Sequence, residues 1–192
     1  MTCVVGYCRG GQVWLGADTG AYDSDGGGEV LMTNTAKVWR WEDFVFGTAG
    51  SYRAIQILHR WLPDPELLMQ FQAATSVENF MVLRLVPAIK ELFETHNHGT
   101  KTNDESEHGS TLLIGAKGKL FALYADYAVL QIRIAYHAIG AGGAAALGAM
   151  YVLTQNTRLR PETILERALA ASEEHCVYVR EPFTIVSTEN GK

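Results

Sequence analysis

The stretch MTCVVGYCRGGQVWLGADT, residues 1–19, decides the fold. TCVVGYC and QVWLGAD are short runs rich in β-branched and aromatic residues. Arg9, Gly10 and Gly11 separate them at the spacing of a tight hairpin. Two antiparallel strands are therefore expected to open the chain. Thr2 begins the first of them, and it acquires chemical meaning only by becoming the first residue of a mature protein.

Working outward, the polar, glycine-rich residues 22–29 predict a loop, and KVWRW and DFVFGTAG predict two further strands. From Ser51 the pattern turns helical: Ala54, Ile57, Leu58 and Trp61 recur on one face until Pro63, Asp64 and Pro65 end it. A second helix is predicted over about 76–94. Thr75 and Glu78 have capping-box spacing there, Val77, Met81, Leu85, Ala88 and Leu92 form the apolar stripe, and Pro87 is a candidate kink. Residues 96–110, without periodicity, predict an exposed loop. TLLIGA, KLFALYA and VLQIRIAY read as strands, and GAGGAAALGAMYVL as a helix after a glycine turn. A last helix starts near Pro161 and buries Ile164, Leu165, Ala168 and Ala171, and PFTIVST closes as a strand.

Strands, two helices, strands, two helices, strand is not the alternation of a parallel doubly wound sheet. Hairpins joined to helix pairs predict an α+β fold, two antiparallel sheets stacked face to face with helices outside each. No repeat or linker divides the chain, so residues 1–192 are read as one domain. With 47% hydrophobic and 19% charged residues the composition is globular. A net charge of -5 without a dense basic cluster argues against nucleic acid as a partner. No apolar run reaches the roughly 18 residues that would cross a bilayer, and the amino terminus lacks a signal-peptide core, so no membrane and a cytoplasmic location are expected. Cys3, Cys8 and Cys176 lack CxxC spacing and read as free thiols. No cofactor and no metal are expected. His96, His98 and His108 with Asp104, Glu105 and Glu107 read as a solvated loop, and no phosphate-binding GxxxxGK(S/T) occurs.

The constellation that carries chemistry is Thr2, Asp18, Lys37 and the turn GTAGS containing Gly50. A threonine hydroxyl holds its proton tightly and needs a base within reach. A free α-amine, with a pKa of about 7.7–8.0, is such a base once Met1 is removed. A lysine beside it lowers the pKa of hydroxyl and amine, an aspartate holds the lysine, and a glycine N–H at a strand-to-helix turn can face a developing oxyanion.

In this order the motifs resemble the proteasome β-subunit superfamily of N-terminal nucleophile (Ntn) hydrolases, most closely its bacterial HslV branch. That family's pattern is Thr-x-(I/V)-V, a hairpin to G-x-D, a lysine on the next strand and an A-G-(G/S) turn. Here these read TCVV, GAD with Asp18, AKV with Lys37 and TAGS with Gly50. IGAGG at 139–143 answers the family's I-G-S-G-G, and residues 160–185 follow its last helix and strand without a gap. The resemblance implies a four-layer αββα sandwich and a threonine-type endopeptidase with Thr2 as nucleophile, Lys37 and Asp18 as its charged neighbours and Gly50 as oxyanion donor. It further implies that Ala21, Thr35, Thr48 and Tyr52 line the pocket for the residue before the cut. As partners it implies a homo-oligomer of stacked rings of six or seven subunits, peptide or unfolded-protein substrates and an ATP-dependent unfoldase.

Two departures stand out. Residues 23–28 lengthen the segment between Asp18 and Lys37, and Ala141 replaces the serine of the family's glycine turn. The alternatives are therefore a catalytically weak or inactive ring or scaffold subunit, and a non-peptide Ntn amidase. Glu173, Cys176 and Val179 match positions whose carbonyls hold a cation in some relatives. Cys3, on the opposite face of its strand from Thr2, is discounted as a nucleophile.

Overall fold

The computed structural model describes residues 2–22, 30–61, 64–102 and 105–188. The opening hairpin forms as expected: β1 (Val4–Arg9) pairs antiparallel with β2 (Gln12–Ala17). Gly10 and Gly11 turn between them with φ of 59° and 81°, the left-handed pair that a two-residue hairpin turn requires. β12 (Tyr136–Ile139) joins β1 and β13 (Thr184–Ser187) joins β2, giving a four-stranded sheet ordered β12-β1-β2-β13.

A second, five-stranded sheet contains β5 (Val38–Trp41), β6 (Phe44–Gly50), β9 (Ser110–Ala116), β10 (Lys119–Leu123) and β11 (Val129–Gln131). Its order is β11-β10-β9-β6-β5, again antiparallel throughout. The two sheets face one another across Val4, Val13, Leu15, Val45, Leu113 and Leu120. Outside the five-stranded sheet lie α1 (Tyr52–Trp61), α2 (Pro65–Ala73), α3 (Val77–Phe80) and α4 (Val86–Thr95), packed through Phe44, Phe46, Phe71, Leu85 and Ile89. Outside the other lie α5 (Gly143–Leu153) and α6 (Pro161–His175), packed on Cys3, Val5 and Tyr7. The four layers follow the expected αββα order.

The sheets approach closely because glycines stand at the contact. A Cβ at Gly115 would lie 2.5 Å from Val13 Cγ1 and 2.6 Å from Val45 Cγ2. Gly115→Val is expected to cost at least about 1–3 kcal/mol through overpacking, read as a lower urea midpoint with an unchanged slope.

Four expectations need correction. The predicted loop 96–110 contains a hairpin, β7 (Thr100–Thr102) with β8 (Glu105–Glu107), and His108 after it is 1% exposed. VLQIRIAY is two strands in different sheets, because the chain crosses from one sheet to the other between β11 and β12. The helix α2 had no prediction; it begins on Pro65, and Asp64 caps it by accepting the N–H groups of Glu66 and Leu67. The helix predicted from 76 is capped by Ser76 rather than Thr75, and passes through a π-helical turn, Met81–Leu85, before Pro87.

His108 gives the fold a pH dependence. Its Nε2 lies 2.9 Å from the Tyr124 carbonyl, its Nδ1 is buried without a partner, and its ring packs against Phe93 and Tyr127. Burial holds its pKa below the ordinary 6.5, as it does for His59, His98 and His137. Below pH 6.5 the unfolded chain therefore takes up protons first, and stability falls as pH falls. One such group contributes at most about 1.4 kcal/mol per pH unit. Urea melts at pH 7.5 and 5.5 should show the loss, and His108→Phe should reduce it.

Candidate functional site

The hairpin register that opposes Val4 to Ala17 also brings the next pair together. Cys3 N–H donates to Asp18 Oδ1 at 3.0 Å, and Asp18 N–H points back at the Cys3 carbonyl at 3.4 Å. Thr2 and Asp18 thus stand at one end of the four-stranded sheet because a two-residue turn fixed the pairing fifteen residues apart. Cys3 lies in the outer core against α5 and α6, while Val4 faces the other sheet. Burial pushes the Cys3 thiol up to about 12, so it is not a nucleophile near neutral pH.

Lys37 precedes β5 and reaches across the sandwich. Its Nζ is 2.8 Å from Asp18 Oδ1 and donates to the Gly20 carbonyl, and both charged side chains are wholly buried. Asp18 Oδ2 accepts the N–H groups of Gly20 at 3.0 Å and Arg180 at 3.4 Å. The carboxylate therefore has four donors, which is what a buried charge requires. Burial pushes the Lys37 ammonium below its ordinary 10.5, and the adjacent Asp18 charge opposes that shift. An ammonium so placed is a fixed positive charge at the sheet end where Thr2 stands.

Gly50 ends β6 with φ of 122°. A Cβ there would fall 2.7 Å from the Gly109 carbonyl oxygen, so only glycine takes this position. Ser51 caps α1, its hydroxyl accepting the N–H groups of Arg53 at 3.1 Å and Ala54 at 3.4 Å. Thr2 and Gly50 share an open cleft of about 390 Å³ with Ala49, Gly109, Ser110, Thr111, Ala125, Gly140 and Ala141. Gly140 is needed for closeness: a Cβ would collide with the Thr2 carbonyl, which also accepts Gly142 N–H at 3.3 Å. Ala141 is exposed at the mouth, with no hydroxyl to offer.

The four residues proposed for the specificity pocket are dispersed around this centre. Ala21 on β3 (Gly20–Tyr22), which pairs with β4 (Val30–Met32), is half-buried, as is Thr35. Tyr52 is half-buried with its hydroxyl 3.5 Å from the Gly20 carbonyl, which it shares with Lys37. Burial, with the Asp18 charge behind it, pushes the Tyr52 phenol up to about 12. Thr48 is fully buried and its hydroxyl has no partner. The insertion at 23–28 and Met1 lie outside the described residues.

Of the carbonyl trio, Cys176 accepts Val179 N–H at 3.0 Å, and Val179 accepts the Arg180 guanidinium at 2.8 Å. The turn carries its own positive group on the carbonyl a cation would need, which is a poor fit for a metal, and no step is assigned to one. Among the described residues no three His, Cys, Asp or Glu side chains converge as metal ligands.

The sequence assigns no role to Ser110 or to the backbone of Arg180. Ser110 ends the predicted loop just before TLLIGA, and only its pairing with Gly50 in the structure gives it a role.

No family model matches the chain. Its structure is similar to that of Thiobacillus denitrificans BPH in complex with epoxomicin, with a TM-score of 0.74, 21% identity and 97% of each chain covered. Eukaryotic HslV from Trypanosoma brucei aligns with a TM-score of 0.70 and 18% identity over 97% of this chain and 98% of that one. An Anbu (Gly-1) mutant from Hyphomicrobium sp. strain MC1 aligns with 0.67 and 16% over 97% and 80%. With its two antiparallel sheets between helical layers and these structural likenesses, the chain has the proteasome-like fold of the Ntn hydrolases.

Proposed function

We propose that the protein is a threonine-type endopeptidase subunit whose nucleophile is Thr2, freed by removal of Met1. The observation that carries this reading is the wholly buried Lys37–Asp18 pair beside the strand ends from which Thr2 and Gly50, one from each sheet, line one cleft. Burying two charges costs several kcal/mol per ion before their attraction returns it, and a fold gains little stability from such a pair. A fixed cation beside a weak nucleophile gives the expense a purpose.

In the proposed reaction the Thr2 hydroxyl attacks the substrate carbonyl and gives its proton to the Thr2 α-amine. The carbonyl electrons move to oxygen, where the Gly50 N–H meets the charge. Collapse breaks the C–N bond, and the leaving amine takes the proton from the α-ammonium. Water, deprotonated by the same amine, then hydrolyses the ester. Lys37 holds both partners toward their reactive forms, and Asp18 holds Lys37. By the family likeness Ala21, Thr35 and Tyr52 would border the residue before the cut, whereas Thr48, fully buried, could act on it only indirectly. As with ring-forming peptidases of this fold, homo-oligomeric stacking in a cytoplasmic chamber, fed by an ATP-dependent unfoldase, fits a cleft this open.

The BPH relative with epoxomicin bound indicates the probe. Intact-mass measurement should give the chain without Met1, and incubation with a peptide epoxyketone should add one inhibitor mass. Retention of Met1 with no adduct supports instead an inactive ring subunit, the reading that Ala141 favours.

A further inference from the structure

Ala141 leaves the cleft without the hydroxyl found at that turn in the resembled family, yet a different hydroxyl-bearing residue lines the same cleft. Ser110 is the first residue of β9 and the register partner of Gly50. It is 4% exposed and lines the cleft with Thr2 and Gly50. Its Oγ accepts the Ser51 N–H at 3.0 Å, and it stands 3.1 Å from the point a Gly50 Cβ would occupy. A serine hydroxyl has one proton to give besides its lone pairs. The lone pair here is engaged by a fixed backbone donor, which sets the rotamer, and no described residue accepts the proton. A buried hydroxyl 3.1 Å from the point a Gly50 Cβ would occupy, in a cleft whose remaining polar side chains are Thr2 and Thr111, is placed for an anion that forms only during reaction.

We propose that Ser110 is a catalytic residue, donating a second hydrogen bond to the oxyanion beside the Gly50 N–H. This inference rests on the threonine-peptidase reading above. In the tetrahedral intermediate the Thr2 Oγ–C bond has formed and the former carbonyl oxygen carries the charge. The Ser110 O–H donates to that oxygen without losing its proton. When the C–N bond breaks, the carbonyl reforms and the hydrogen bond weakens. Donors that strengthen in the transition state raise kcat, whereas uniform binding changes KM.

The test compares wild type, Ser110→Ala and Ser110→Thr with a fluorogenic peptide and with a peptide aldehyde, whose hemiacetal with Thr2 reproduces the tetrahedral oxygen. Ser110→Ala is expected to lower kcat about 100-fold with KM within twofold, and to weaken the aldehyde by a similar factor. Ser110→Thr, which keeps the hydroxyl, should recover most of both. Cleavage by Ser110→Ala within threefold of wild type overturns the proposal. So does a loss of kcat with unchanged aldehyde affinity, or a Ser110→Thr protein as impaired as Ser110→Ala, since either assigns the effect to the α1 cap. A wild-type protein that neither cleaves peptide nor takes up the epoxyketone overturns the peptidase reading itself, a result distinct from an active Ser110→Ala protein.

Discussion

Peptide cleavage is expected to fall by about 10⁴-fold or more when Thr2 is replaced by alanine, with folding intact. The asymmetry follows from what each atom of Thr2 does. Its carbonyl is fixed by Gly142 N–H and by the close approach of Gly140, and both contacts are backbone ones that survive the substitution. Its hydroxyl is the only part that alanine removes besides a methyl group. A Thr2→Ala protein should therefore melt within a few degrees of wild type while losing epoxyketone uptake and turnover together. Thr2→Ser should keep measurable activity because the amine and a hydroxyl both remain. Unchanged cleavage of a fluorogenic peptide by Thr2→Ala would remove Thr2 from the mechanism.

Lys37→Met should cost both activity and stability. The substitution leaves the Asp18 carboxyl without its cation in a place with no solvent access, and breaking a buried pair by removing one partner costs about 3–5 kcal/mol. Lys37→Arg should not restore function, since the guanidinium is broader than the ammonium and the site is fully enclosed. The double substitution Lys37→Met with Asp18→Asn separates the two roles. Removing both charges should return part of the lost stability in a urea melt but none of the lost epoxyketone reactivity. Recovery of reactivity in the double variant would show that no positive charge is needed beside Thr2.

Much of this site was legible because local rules placed it. Gly10 and Gly11 fix a two-residue turn, the turn fixes the register, and the register sets Cys3 against Asp18. The layer order was legible for a similar reason, since periodicity changed cleanly at Ser51 and Pro161. What escaped depended on contacts distant in sequence. VLQIRIAY, with Gln131 and Arg133 alternating with apolar neighbours, reads as one continuous strand, and nothing within it signals that β11 and β12 belong to different sheets. His108 has polar chemistry in a polar stretch, and the Phe93 and Tyr127 rings packed against it come from other elements. The helix α2 follows a proline-rich break, where Asp64 and Pro65 are equally good as a turn or as a cap and first turn. Ser110 gained significance only from lying opposite Gly50, sixty positions earlier in the chain.

The donors around Asp18 also order the protein in time. They come from Cys3, Gly20, Lys37 and the backbone of Arg180, so the carboxylate is satisfied by both ends of the chain. During synthesis the amino-terminal segment leaves the ribosome long before residue 180 is made. Until the backbone of Arg180 docks, Asp18 lacks one of its four donors. On the proposed reading of Thr2, the carboxylate that holds its neighbouring cation is therefore complete only after residue 180 has been made and has docked.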